Sequence, residues 1–161
     1  IASKIHSRMP NIKFLIVGDG ILKNEMETFI SVKGLAGVVL MIGYQKEPLK
    51  FIAAMDFFLL TSRIEGLPNV LIEAQALGVP VATFSAGGAA ETLDQGSTGW
   101  ILKEESADAI ADKLIELMKD GELRQKAGVN AHNFVRERFS AERMLKETLE
   151  LYEANLGRAI S

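Results

Sequence analysis

Cysteine is absent from the 161 residues. Disulfides and thiolate-held metals are thereby excluded, and a reducing, cytoplasmic setting is the expectation. Only two histidines occur, His6 and His132. Each stands alone in a helical stretch and reads as a surface residue. No pair has metal-ligand spacing, and no Ser-His-Asp arrangement is evident. Positive charge is also short: 18 Lys and Arg against 21 Asp and Glu leave a net charge of −3. A general nucleic-acid binder would show a basic face, so nucleic acid is not an expected partner. An anionic small ligand stays open, because local dipoles hold an anion without a basic surface. No apolar run approaches the roughly 18 residues of a membrane-spanning helix, which leaves peripheral membrane association open. What the chain does have is apolar content, 48% hydrophobic against 24% charged. That suffices for one well-cored domain over residues 1–161.

The apolar residues come in short continuous runs. "IKFLIV" at 12–17, "VVLM" at 38–41, "FFLL" at 57–60, "PVAT" at 80–83 and "GWIL" at 99–102 read as strands. Helical patterns lie between them. After "GDG", Leu22, Met26, Phe29 and Ile30 fall on one helical face. Pro48 opens a short helix, and another runs from about Pro68 to Leu77. From about Ser106 the chain is helical, with Ser140 as an N-cap signal. Continuous apolar strands alternating with helices predict an α/β fold: a Rossmann-like parallel sheet with helices on both faces.

In such a sheet ligands bind beyond the carboxyl ends of the strands. Residues 18–20, 43–46, 61–67 and 84–88 occupy that edge, and each of these loops contains glycine. "GDG" does not complete a dinucleotide fingerprint: the third glycine position holds Lys23, and no acidic residue stands near Val38. "EGLPNVLIE" is more informative. Pro68 suits the first helical position, which leaves the amides of Asn69 and Val70 as free donors at the positive end of the helix dipole. That is an anion site suited to phosphate. Glu73, about a turn and a half in, leans back toward the same end. Its neighbours Val70, Leu71, Ile72, Ala74 and Leu77 are apolar. A carboxylate in such company needs donors, and two adjacent sugar hydroxyls would supply them. Glu65 sits in the preceding loop. Capping of nearby amides by Glu73, with Glu65 solvated, is the competing explanation.

"SRIEGLPNVLIEAQALGVPVATFSAGGAAETL" resembles the donor-binding half of retaining glycosyltransferases of family 4, the group 1 family of the GT-B fold. "LIVGDG", "VVLMIGY", "FIAAMDFFLLTS", "TGW" and the closing "ERMLKETLELYEANL" fall in the family's order. The resemblance implies a C-terminal GT-B half that binds a nucleoside-diphosphate sugar and passes the sugar, with retention, to an acceptor in polysaccharide or glycolipid biosynthesis. It implies Glu65 as the reaction-centre glutamate on the donor sugar and Glu73 as the ribose acceptor. Gly66, Leu67, Pro68, Asn69 and Val70 would hold diphosphate and sugar, and Gly18 and Gly20 would line the phosphate side. Tyr44 and Gln45 would meet the base, and Gly87, Gly88 and Glu91 would lie close by. Asp56 is expected to be structural. No metal or cofactor is implied. The family's N-terminal acceptor domain is missing, as are the sheet's first, central strand and the cations aimed at the diphosphate. The chain is therefore expected to be a fragment with little activity of its own. A non-catalytic nucleotide-sugar or interaction module, or an epimerase or phosphorylase of the same architecture, is the alternative.

Overall fold

A computed structural model describes residues 1–103 and 106–159, with side chains up to 156. The apolar runs form β1 (Phe14–Ile16), β2 (Val39–Met41), β3 (Phe58–Leu60), β4 (Val81–Phe84) and β5 (Gly99–Leu102). Every pairing among them is parallel. The helices are α1 (Ala2–His6), α2 (Lys23–Val32), α3 (Pro48–Ile52), α4 (Asn69–Ala76), α5 (Ala107–Lys119), α6 (Gly121–Arg138) and α7 (Ala141–Ala159). A 3₁₀ turn, Gly87–Thr92, follows β4.

Successive strand residues point to opposite faces, and the two cores show it. Phe57 and Leu59 pack with Ile5, Trp100, Leu102, Ile110 and Leu114 on the side of α1 and α5. Phe58 and Leu60 pack with Ile52, Leu71, Ala74 and Val81 on the side of α3 and α4. The expected helices on both faces are thus present. Ser106 and Asp120 accept the amides of Ala109 and Leu123 at the starts of α5 and α6. Ser140 does the same for Arg143 at 3.2 Å.

The sheet is divided. β1 pairs with β2, and β3, β4 and β5 form a second ladder. Phe14 of β1 nonetheless shares one core with Phe57 and Leu59 beside β3. Among the described residues β1 and β3 each keep one edge without a strand partner. Such edges invite pairing with another strand.

Three expectations are corrected. Coverage of the sheet is complete over β4, whose residues are all buried, whereas β1 and β3 are half-buried throughout. The face of α2 expected to be core is open: Leu22, Met26 and Phe29 are exposed, and α2 has no buried residue. Its apolar side looks into a groove of about 1010 Å³ that it shares with Ile1, Ile16 and Val39. The helical period places these residues on one side, but no layer among the described residues closes over it. His6 is also half-buried rather than on the surface, and its Nδ1 is buried without a partner among the described residues. No described helix is long and apolar enough to cross a membrane.

α4 is held in place by α6, and the contact depends on a glycine. A Cβ on Gly128 would lie 2.2 Å from the carbonyl oxygen of Gly78. Gly128→Ala gains about 1 kcal/mol of helix propensity. It loses roughly 1–3 kcal/mol or more to overpacking, because the obstacle is backbone. A net destabilisation of about 1–2 kcal/mol is expected in urea denaturation. A variant more stable than the parent would show that α4 and α6 separate freely.

Candidate functional site at the carboxyl edge of the sheet

Parallel strands bring the four loops to one edge, in two linked pairs. The Gly18 amide donates to the Gly43 carbonyl at 2.9 Å, joining the loops after β1 and β2. Asp19 folds its carboxylate onto the Gly20 amide at 2.8 Å. Lys23, the first residue of α2, reaches back to within 3.5 Å of that carboxylate. Its Nζ lies 3.6 Å from where a Cβ on Gly43 would stand. No cation was expected from the sequence at this edge. Lys23 brings one there, and its signal was a lysine opening the helix that follows a glycine turn. Tyr44 is 75% exposed. Gln45 is half-buried and spends its side-chain donor on the Ile42 carbonyl at 2.8 Å.

The loops after β3 and β4 are pressed together. The Gly88 amide donates to the Gly66 carbonyl at 2.7 Å. Gly87 has a φ of +52°, and a Cβ there would lie 1.8 Å from the Glu65 carbonyl oxygen. Only glycine fits such an approach in that backbone region. Glu65 is thereby carried on a loop braced from behind, with its side chain half-buried.

At the start of α4 the structure corrects the cap. Pro68 is the N-cap residue in extended conformation (φ −74°, ψ 98°), and Asn69 is the first helical residue. Proline has no side-chain acceptor to offer, and none caps this helix. The Leu71 amide donates to the Pro68 carbonyl at 3.0 Å. The amides of Asn69 and Val70 have no partner among the described residues. Pro68 is buried, Val70 half-buried, and Gly66, Leu67 and Asn69 exposed. Free donors therefore face outward beside the Glu65 loop.

Glu73 is exposed, which corrects the picture of a carboxylate buried among apolar neighbours. At about 100° per residue it stands roughly 200° round the helix from Leu71. Leu71, Ala74 and Gln75 form the buried side. The buried polar residue of this helix is Gln75. Neither Glu65 nor Glu73 makes a hydrogen bond or ion pair among the described residues, so Glu73 does not cap amides. Both carboxylates remain available as acceptors. Asp56 is exposed and likewise makes no side-chain hydrogen bond among them, so no capping role is seen. His132, as expected, is exposed; its Nδ1 lies 2.7 Å from the Ala76 carbonyl. A concavity of about 380 Å³ adjoins the site, lined by Leu67 and Glu91 on one side and Arg138, Phe139 and Arg143 on the other.

Solved structures share this fold. A mutant of the Staphylococcus aureus protein TarM, in complex with fondaparinux, alpha-GlcNAc-glycerol and UDP, superposes with a TM-score of 0.86 at 26% identity. The match covers 94% of this chain and 31% of TarM. The fold is that of one half of a GT-B glycosyltransferase. At the level of sequence, the family model described as glycosyl transferases group 1 matches residues 2–134, and the chain belongs to that family. The Vi polysaccharide biosynthesis protein VipC/TviE of Salmonella typhi is 36% identical over 152 residues, 89% of this chain and 25% of that protein. The capsular polysaccharide biosynthesis glycosyltransferase CapM of Staphylococcus aureus is 34% identical over 154 residues, 94% of this chain and 40% of CapM. The chain thus spans between a quarter and two fifths of these relatives' lengths.

Proposed function

We propose that this chain is the donor-binding half of a retaining glycosyltransferase that takes a sugar from a nucleoside diphosphate and places it on a polysaccharide or glycolipid acceptor. The observation that carries this is the start of α4: an uncapped helix end with the unpaired carboxylates of Glu65 and Glu73 beside it. In this proposal the diphosphate lies on the amides around Gly66 to Val70, with Gly18 and Gly20 on its far side. Glu73 accepts the two ribose hydroxyls, Glu65 accepts hydroxyls of the transferred sugar, and the backbone at Tyr44 and Gln45 meets the base. As the glycosidic bond breaks, negative charge grows on the departing diphosphate, and the helix end stabilises it without reorganising. The rest of the work is positioning. The acceptor and further cations come from outside residues 1–161. The UDP bound in TarM supports a nucleotide site on this architecture.

Calorimetry with UDP, GDP and ADP and their glucose conjugates tests this. Binding of at least one nucleoside diphosphate is expected, with none of the corresponding free nucleoside. A chelator is expected to leave the affinity unchanged, since the arrangement calls for no metal or cofactor. Little or no transfer is expected from the isolated chain. Binding of the nucleoside alone with equal affinity would remove the diphosphate from the site.

A further inference from the structure

Gln75 is fully buried on α4, yet it is the residue on that helix's inner face with most to hydrogen-bond. Its Nε2 donates to the Leu71 carbonyl at 3.0 Å and to the Thr92 carbonyl at 2.6 Å. Two carbonyl acceptors require two donor hydrogens, which fixes the orientation of the amide. Oε1 is left buried without a partner among the described residues. An apolar side chain of similar length would avoid that orphan and the stability it costs. What it could not do is hold Thr92.

Thr92 is the last residue of the Gly87–Thr92 turn. The turn is tied internally by the Thr92 hydroxyl, which donates to the Ala89 carbonyl at 2.7 Å. Its other end bears on the Glu65 loop, through the Gly88 amide bond to Gly66 at 2.7 Å and the backbone approach of Gly87 to Glu65. The turn is thus a strut with one end on Gln75 and the other behind Glu65.

We infer that Gln75 is a positioning residue: by holding the Thr92 carbonyl it locks the Gly87–Thr92 turn, and the turn sets the loop that carries Glu65. This rests on the donor-binding role proposed above only for its consequence. Glu65 stands on the sugar side and Glu73 on the ribose side, so loss of the lock acts on sugar recognition and spares the nucleotide.

The test is Gln75→Met, which keeps length and removes both donors. Hydrogen exchange of the Gly88 amide is expected to rise about tenfold or more relative to the amides of β4. In titration, the preference for UDP-glucose over UDP is expected to fall toward one while UDP affinity is retained. A uniform change in exchange across Gly88 and β4, or no change at Gly88, would overturn the brace. Faster Gly88 exchange with the sugar preference intact would overturn its link to Glu65. A parent chain that binds neither ligand counts against donor binding alone, and the exchange result still decides the brace. Should Gln75→Met fail to fold, Thr92→Val cuts the strut at the Ala89 bond and is expected to raise Gly88 exchange in the same way. Unchanged exchange there would count against the strut.

Discussion

Glu73→Ala is expected to lower the affinity for UDP by about 30-fold, with the range set by two hydrogen bonds to a charged acceptor. Such bonds contribute roughly 1.5–3 kcal/mol each when formed, and part of that is recovered as water fills the gap. Glu73 is exposed and unpaired among the described residues, so its removal leaves no orphaned partner among them. Stability should change by no more than about 0.5 kcal/mol, the usual range for surface positions. That separation is what makes the variant informative. Glu73→Gln is expected to fall in between, because a neutral amide still accepts but lacks the strength of a charged acceptor. Equal UDP affinity for wild type and Glu73→Ala would remove this carboxylate from the ribose.

Gly87→Ala is expected to destabilise the chain by about 3 kcal/mol and to abolish preference for the sugar part of the ligand. Two costs add. A side chain at a φ of +52° is strained. The new Cβ would also stand 1.8 Å from the Glu65 carbonyl oxygen and 2.8 Å from its carbon. Backbone does not swing aside as a flexible side chain does, so relief must come from movement of the Glu65 loop. Gly66→Ala is the internal control: no atom lies within 4 Å of a Cβ there, and its backbone is not left-handed. Near-neutral stability is expected for that change. Urea denaturation checks both, and a Gly87→Ala variant within about 0.5 kcal/mol of the parent would show that the two loops are not pressed together in solution.

The strands and their direction were legible because they rest on local facts. A continuous apolar run between helices specifies a buried parallel strand, and Phe57 to Leu60 alternate between the two cores as a period of two requires. The edge on which the loops gather follows from that direction alone. So do the candidate residues: Glu65, Gly66 and Asn69 stand on that edge, and Gly87 and Gly88 lie against it. The family resemblance rested on the same ordered motifs, and the group 1 match over residues 2–134 bears it out.

Other features were not legible, for a shared reason. The apolar neighbours of Glu73 suggested a buried carboxylate, but neighbours in sequence are spread around a helix and only some face inward. Gln75, two residues on, took the buried position. Leu22, Met26 and Phe29 have the spacing of a core face and remain exposed, because a pattern states which residues share a side and not whether anything covers it. Lys23 reaches Asp19 four residues back along the chain, but it stands against the Gly43 loop only because β1 and β2 are paired behind them. The sequence by itself determined the element types, the strand direction and the glutamates' place beside a proline-led helix, all of which depend on backbone periodicity and dihedral limits. Tertiary structure decided which side of α4 is buried, that the sheet divides between β1 and β3, that Gly87 and Gly88 press on the Glu65 loop and that Gln75 holds the Thr92 carbonyl, because each is a contact between segments distant along the chain.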